Sequence, residues 1–329
     1  MKNKIIFSLI LLLIITTLLF YLSARLPYQT QNKSQEKIIV IERNEGLFQI
    51  SQKLKKEDLI RDNLLFEFYV IAKNDFYNLK RGHYKLNSSM SIAEIAQKII
   101  KGDTIKLNLT FIEGWKIEDI AQYLEDKKIV KKEKFFETTK NYEGNLSILK
   151  DKPKEQGLEG YLFPNTYTFN KQVSSTQIID KLVFTLQKNL KEELEENFEE
   201  KNIHKILTMA SLLEKEVQTY KDKRIVSGIA WKRLKEQIPL QMDATITYLT
   251  GKKSTKVATS ETKIDSPYNT YKYRGLPPGP ICNPGLESIK AAINPKESNY
   301  WYYLSAPNGE TIFSENFIQH KKAKQEYLR

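Results

Sequence analysis

Glu214 lies in a segment, residues 202–218, whose apolar residues recur with a helical period. At about 100° per residue, Leu213, Ile206, Val217, Ile203 and Leu207 share one arc around Ala210, and Glu214 falls inside it. Glu216 lands off the arc, about 240° round from Ala210. An ionisable group on the buried face of a helix has either a partner or a task. Desolvation disfavours a carboxylate, so a Glu so placed tends to keep its proton near neutral pH, as a general acid must. A structural ion pair or a backbone amide would explain the position equally well, and the helix alone leaves both open.

Three further segments of the second half combine prolines and glycines with tyrosines and amides. They are Glu159–Tyr167, Gln241–Thr245, and Ser266–Tyr271 running on through Arg274 to Gly285. Gly and Pro at this density fix loop geometry and let a ligand or another backbone approach closely. Tyr161, Tyr167, Tyr268, Tyr271 and Tyr273 place amphipathic rings beside amides, a composition suited to sugar rings. A rigid, well-packed surface loop has the same composition, and at this point both readings stand.

Helices are expected to position these segments, at about 174–200, 202–218 and 222–237. Earlier in the chain one octapeptide pattern recurs three times, at Leu47–Leu54, Ile92–Ile99 and Ile117–Leu124. Two copies follow a strand-like stretch and a Glu-Gly turn, Glu45-Gly46 and Glu113-Gly114. The middle copy opens on Ser91 and Glu94, a capping-box pattern, and stops before Gly102. Near the end, Tyr300–Ala306 and Thr311–Ser314 flank Asn308-Gly309, a hairpin signal. Helices and short strands are segregated, so the expected class is α+β.

Ile5 to Leu22 holds 18 uncharged residues, which as a helix span about 27 Å. Leu22-Ser23-Ala24 is a poor cleavage site, so the expectation is an uncleaved single-pass anchor over 5–22. Lys2 and Lys4 in front of it favour residues 1–4 in the cytosol and the remainder outside. The polar residues 23–36 read as a tether, and the 13 residues 24–36 reach about 45 Å when extended. After it the chain is long enough for two cores. One cysteine among 329 residues means no internal disulfide.

The net charge of +12 is spread along the chain. It forms no basic stripe with a reading motif, so nucleic acid is not expected, and attraction to anionic lipid or acidic wall polymers fits better. His83, His204 and His320 lie too far apart for ligand spacing, so no metal is expected. Cys282 has no base nearby in sequence, and Gly251-Lys252-Lys253-Ser254 lacks the upstream glycine of a phosphate loop.

Five segments, in order, resemble the endolytic murein transglycosylases of the MltG (YceG-like) type. They are Glu159–Tyr167, Ala210–Glu216, Gln241–Asp243, Ser266–Tyr271 and Gly275–Ile281. The likeness covers about residues 37–325, with Met242 standing where a serine is more usual. It implies a LysM-like αβ module over 37–103 and a mixed α+β catalytic domain over 104–329. It also implies that Glu214 is the acid/base of a lytic transglycosylase acting on peptidoglycan without a cofactor. In that chemistry the C6 hydroxyl of N-acetylmuramic acid attacks its own C1 and leaves a 1,6-anhydro ring. One carboxyl then suffices, whereas hydrolytic glycosidases usually need two.

Gln241, Asp243, Asn269 and Glu216 are the expected partners beside Glu214, with Tyr268, Tyr271, Glu159 and Tyr161 as further substrate contacts. The implied setting is the outer face of the (inner) membrane, where nascent strands would be cut alongside penicillin-binding synthases. A water-using muramidase with Asp243 as second carboxylate, and a wall-binding scaffold without activity, remain alternatives.

Overall fold

The computed structural model describes residues 2–28, 35–195, 198, 201–252 and 257–328. Two compact units are present: residues 1–108 with 168–173, and residues 109–167 with 174–329. The class is mixed α+β, with the described strands arranged as three separate two-stranded pairs.

The first unit begins with α1 (Lys2–Ser23) and continues with β1 (Glu36–Ile41), α2 (Leu47–Lys56), α3 (Asn63–Ala72), β2 (Gly82–Asn87) and α4 (Ile92–Lys101). β1 and β2 are antiparallel, in a register that sets Ile38 opposite Lys85 and Ile41 opposite Gly82. Alternation sends Ile39, Ile41, Tyr84 and Leu86 into a core shared with Ile50, Leu54, Phe66, Val70, Ile95 and Ile99. The buried Tyr84 hydroxyl is satisfied by Lys80 O at 2.6 Å and Ile99 O at 3.2 Å. At the start of α4, Glu94 N donates to Ser91 Oγ and Ser91 N donates to Glu94 Oε2, while Gly102 closes the helix at φ 71°.

Residues 24–27 differ from the free tether expected there. Ala24 is fully buried in this core, Ala93 N donates to its carbonyl at 3.1 Å, and Pro27 bridges Ser91. The first turn of α4 has orphan N–H groups, and the segment after α1 supplies an acceptor. Residues 29–34 of that expected tether lie outside the described residues. Among the described residues no helix is long and apolar enough to cross a membrane. Side chains 9, 13 and 17–21 of the expected anchor lie outside that description.

The β3 (Lys106–Thr110) and β4 (Thr166–Asn170) pair has residues in both units. The second unit adds α5 (Ile117–Asp126), α6 (Lys132–Lys140), α7 (Ser175–Leu194), α8 (Ile203–Glu216) and α9 (Tyr220–Lys235). It ends with α10 (Asp243–Thr250), α11 (Leu286–Ile293), the hairpin β5 (Tyr302–Ser305) and β6 (Thr311–Ser314), and α12 (Phe317–Tyr327). Residues 196, 197, 199 and 200 of the expected 174–200 helix lie outside the description. The centre is α8, which packs against α9, α10 and α11. Every residue from Ile206 to Leu213 is buried, so this helix has no solvent face over two turns.

Candidate active site

The proline-rich segment runs along α8 and fixes its polar groups one after another. His204 Nε2 donates to Pro278 O at 2.8 Å, Ile281 N donates to Ser211 Oγ at 3.0 Å, and Gly285 N donates to Glu214 Oε2 at 3.0 Å. Alongside lies the Glu159 loop. Gly160 has φ +85°, and a Cβ there would overlap the Pro280 ring, so both the turn and the close approach require glycine. Asn283 joins the pieces. Its Oδ1 accepts from Gly160 N (3.0 Å) and Leu162 N (2.9 Å), and its Nδ2 donates to Trp115 O (2.9 Å) and Glu159 Oε1 (3.1 Å).

Glu214 therefore lies in the last turn of α8, where these loops meet. Its side chain is 10% exposed. Oε2 accepts from Gly285 N and from Ser288 Oγ (2.6 Å), and Lys223 Nζ stands 3.6 Å away. Lys223 itself is buried, so this is an enclosed ion pair. Among the described residues Oε1 has no hydrogen-bond partner. One oxygen is thus anchored by three groups and the other is left for a ligand, which is the geometry a proton-transferring carboxyl needs. A second carboxyl, Glu113, packs against Gly285 so closely that a Cβ there would overlap it.

The partners expected from sequence do not bond Glu214. Glu216, two residues on, points to another side of the helix end, where its carboxyl accepts from Ala244 N at 3.0 Å and Tyr303 OH at 2.9 Å. It is enclosed rather than lying on a solvent face, because α8 is surrounded at this level by α10 and the β5 strand. Asp243 accepts a hydrogen bond from Tyr271 OH in the same group. Gln241 is exposed and held at φ 55° by its N–H to Thr270 O.

Asn269 was expected beside Glu214. It is fully buried, with Nδ2 donating to Thr262 O and Ile264 O and Oδ1 accepting from Tyr271 N, so its polar atoms serve its own loop. Tyr161 is likewise buried, its hydroxyl paired with His204 Nδ1 at 3.0 Å. Glu159 accepts from Ile117 N at 3.2 Å and from Asn283, and burial pushes its carboxyl up to about 7. Among the described residues, the hydrogen bonds of all three run to neighbouring protein groups. Tyr268 is half-buried and stacks obliquely on Tyr248, and the Lys116 ammonium lies 4.7 Å from the Tyr248 ring centre.

Burial likewise pushes Glu216 up to about 7, against the lowering effect of its bond from Ala244 N. A carboxyl whose proton is held more tightly in the folded state contributes stability that is complete below its ordinary value of 4.5. That contribution is lost as pH rises through about 7. The melting temperature of the second unit is expected to fall between pH 5.5 and pH 8, with about 1–3 kcal/mol at stake for this group. Glu216→Gln should flatten its share of the slope in a thermal melt series. A slope unchanged by that substitution would rule it out as the source.

Sequence reasoning missed Glu113, Lys223, Ser288 and Asn283. Glu113 did carry a signal, as part of a repeated Glu-Gly turn. Comparisons with known proteins cover the same part of the chain. The YceG-like family matches residues 39–326. A Bacillus subtilis protein named endolytic murein transglycosylase is 35% identical over 301 residues, covering 85% of this chain and 81% of its own. A protein of that name from Streptococcus pneumoniae is 30% identical over 340 residues and covers 94% of this chain. This chain spans 61% of the pneumococcal protein's length. A crystal structure of a yceG-like protein from Listeria monocytogenes superposes with a TM-score of 0.59 at 34% identity, over 89% of this chain and all of that one. Since the family match takes in every site residue named above, this chain belongs to the YceG-like family.

Proposed function

We propose that the chain is an endolytic peptidoglycan lytic transglycosylase with Glu214 as general acid/base. The observation that carries this reading is the Glu214 carboxyl itself, nine-tenths enclosed, with Oε2 anchored and Oε1 without a hydrogen-bond partner among the described residues. It sits where α8 meets the proline-rich segment, inside the residues that the YceG-like family matches. Glu214 protonates the bridging oxygen as the bond from C1 of N-acetylmuramic acid to the next N-acetylglucosamine breaks. The C6 hydroxyl then bonds to C1 and gives its proton to the Glu214 carboxylate, so a 1,6-anhydro end forms, the acid is restored and no water is consumed. The exposed Gln241, the half-buried Tyr268 and the Asp243–Tyr271 pair supply amide, ring and acid groups for sugar contacts.

The uncharged run 5–22, carried on the 22-residue α1, is the proposed membrane anchor, with Lys2 and Lys4 on the cytosolic side. The order β1–α2–α3–β2 supports a LysM-like reading of residues 37–103, ahead of a catalytic domain over 104–329. Anchoring next to the bilayer suits the cutting of nascent strands beside penicillin-binding synthases, and thus the ending of strand growth.

Digestion of purified peptidoglycan by the full chain, followed by mass spectrometry, tests the reaction. Ends one water lighter than hydrolysed ends are expected. Hydrolysed ends would sink the transglycosylase reading in favour of a muramidase.

A further inference from the structure

Glu113 has a counterpart earlier in the chain, and the two are used differently. In the first Glu-Gly turn, Glu45 is consumed locally: it accepts from Glu42 N at 2.9 Å and pairs with Lys53. In the second turn, Glu113 has no hydrogen-bond partner among the described residues. It is exposed, yet its carboxyl rests on Gly285, whose N–H anchors Glu214. Its turn is fixed from both sides: Gly114 N donates to Asn283 O at 2.8 Å, and Gly114 has φ +76°. The structure therefore spends a glycine at 285 to bring an otherwise idle carboxyl beside the one with a free oxygen.

We propose that Glu113 is the second carboxyl of this reaction, taking the proton of the C6 hydroxyl while Glu214 gives its own to the leaving oxygen. This rests on the transglycosylase reading and divides between two groups the transfers assigned above to one. The step balances. The C1–O4 bond breaks and the C1–O6 bond forms, one proton leaves Glu214 for O4, and one leaves O6 for Glu113. Proton exchange through solvent then restores the starting pair. The charges around Glu113 fit. Glu214 and Lys215 come from α8, Lys223 from α9 and Glu287 from α11. Partial burial raises the proton affinity of Glu113, and the charge that Glu214 gains as it gives up its proton raises it further, while Lys223 opposes them. A base is strengthened by that shift.

The test is the pH profile of kcat/KM on purified peptidoglycan for the full chain, Glu113→Gln and Glu113→Asp, with product masses read from the same digests. Glu113→Gln is expected to lose about 100-fold or more, with KM little changed. The acidic limb of the profile, which reports an ionising base, should vanish. Glu113→Asp should restore part of the rate and the limb. An unchanged rate would overturn the proposal, and so would a lost rate with both limbs intact, which is the mark of a merely structural role. Hydrolysed ends from the unmodified chain would instead overturn the transglycosylase reading, so the two failures are told apart.

Discussion

Glu214→Gln is expected to abolish strand cleavage, lowering kcat by about 1,000-fold or more, because it removes the group proposed to move the proton. The amide keeps the shape of the carboxyl, and its oxygen still accepts from Gly285 N and Ser288 Oγ. What it also loses is the charge that the deprotonated form sets against Lys223, an ammonium with only 5% of its side chain exposed. A buried cation without its partner costs stability, here about 1–3 kcal/mol after relaxation. The single variant should therefore be both inactive and less stable. Adding Lys223→Met should recover stability without recovering activity. Released fragments measured by chromatography and a denaturant titration separate the two effects. Substantial turnover in a folded Glu214→Gln protein would remove this residue from the chemistry.

Much of the frame was legible in the sequence. The period of residues 202–218 marks α8, and the three copies of the octapeptide become α2, α4 and α5, with the Ser91–Glu94 capping box formed as written. Asn308-Gly309 joins β5 to β6. The short helices were harder. In α10 the run Thr245-Ile246-Thr247 is β-branched and favours strand, and its helical state is set by packing on α8. The helical wheel placed Glu214 inward but left Glu216 outside, because a wheel presumes that one face meets water. With eight consecutive buried residues, α8 has no such face. Lys223 could not have been read as buried, since its neighbours Lys221, Asp222 and Arg224 describe a solvated first turn. Nothing local told that Glu113 meets Gly285, since contacts between residues so far apart in sequence are fixed by the fold. The same holds for Asp243, whose proximity in motif order suggested a place beside Glu214 and whose bonds lie with Tyr271.

Asn283→Ala should be among the most damaging substitutions that leave every acid of the site in place. Asn283 is 1% exposed, and its side chain makes four hydrogen bonds, to Gly160 N, Leu162 N, Trp115 O and Glu159 Oε1. Trp115 O keeps a second donor in Asn283 N, at 2.8 Å, and Glu159 keeps Ile117 N, so truncation strands chiefly the two loop N–H groups. Each buried unsatisfied group costs about 1–3 kcal/mol, so a loss of about 3–5 kcal/mol is expected, a large share of a domain's stability. Activity should fall with it, because Gly285, two residues on, orients Glu214. Asn283→Asp separates donor from acceptor: it retains the oxygen facing Gly160 N and Leu162 N but sets a carboxyl against Glu159. Burial and the like charge favour the protonated form of that new acid. Its stability should therefore be greatest at low pH and decline as pH rises, more steeply than in the unmodified chain. Denaturant midpoints at pH 5.5 and pH 8 measure both variants. If Asn283→Ala costs less than about 1 kcal/mol, the amide is not what joins the three loops.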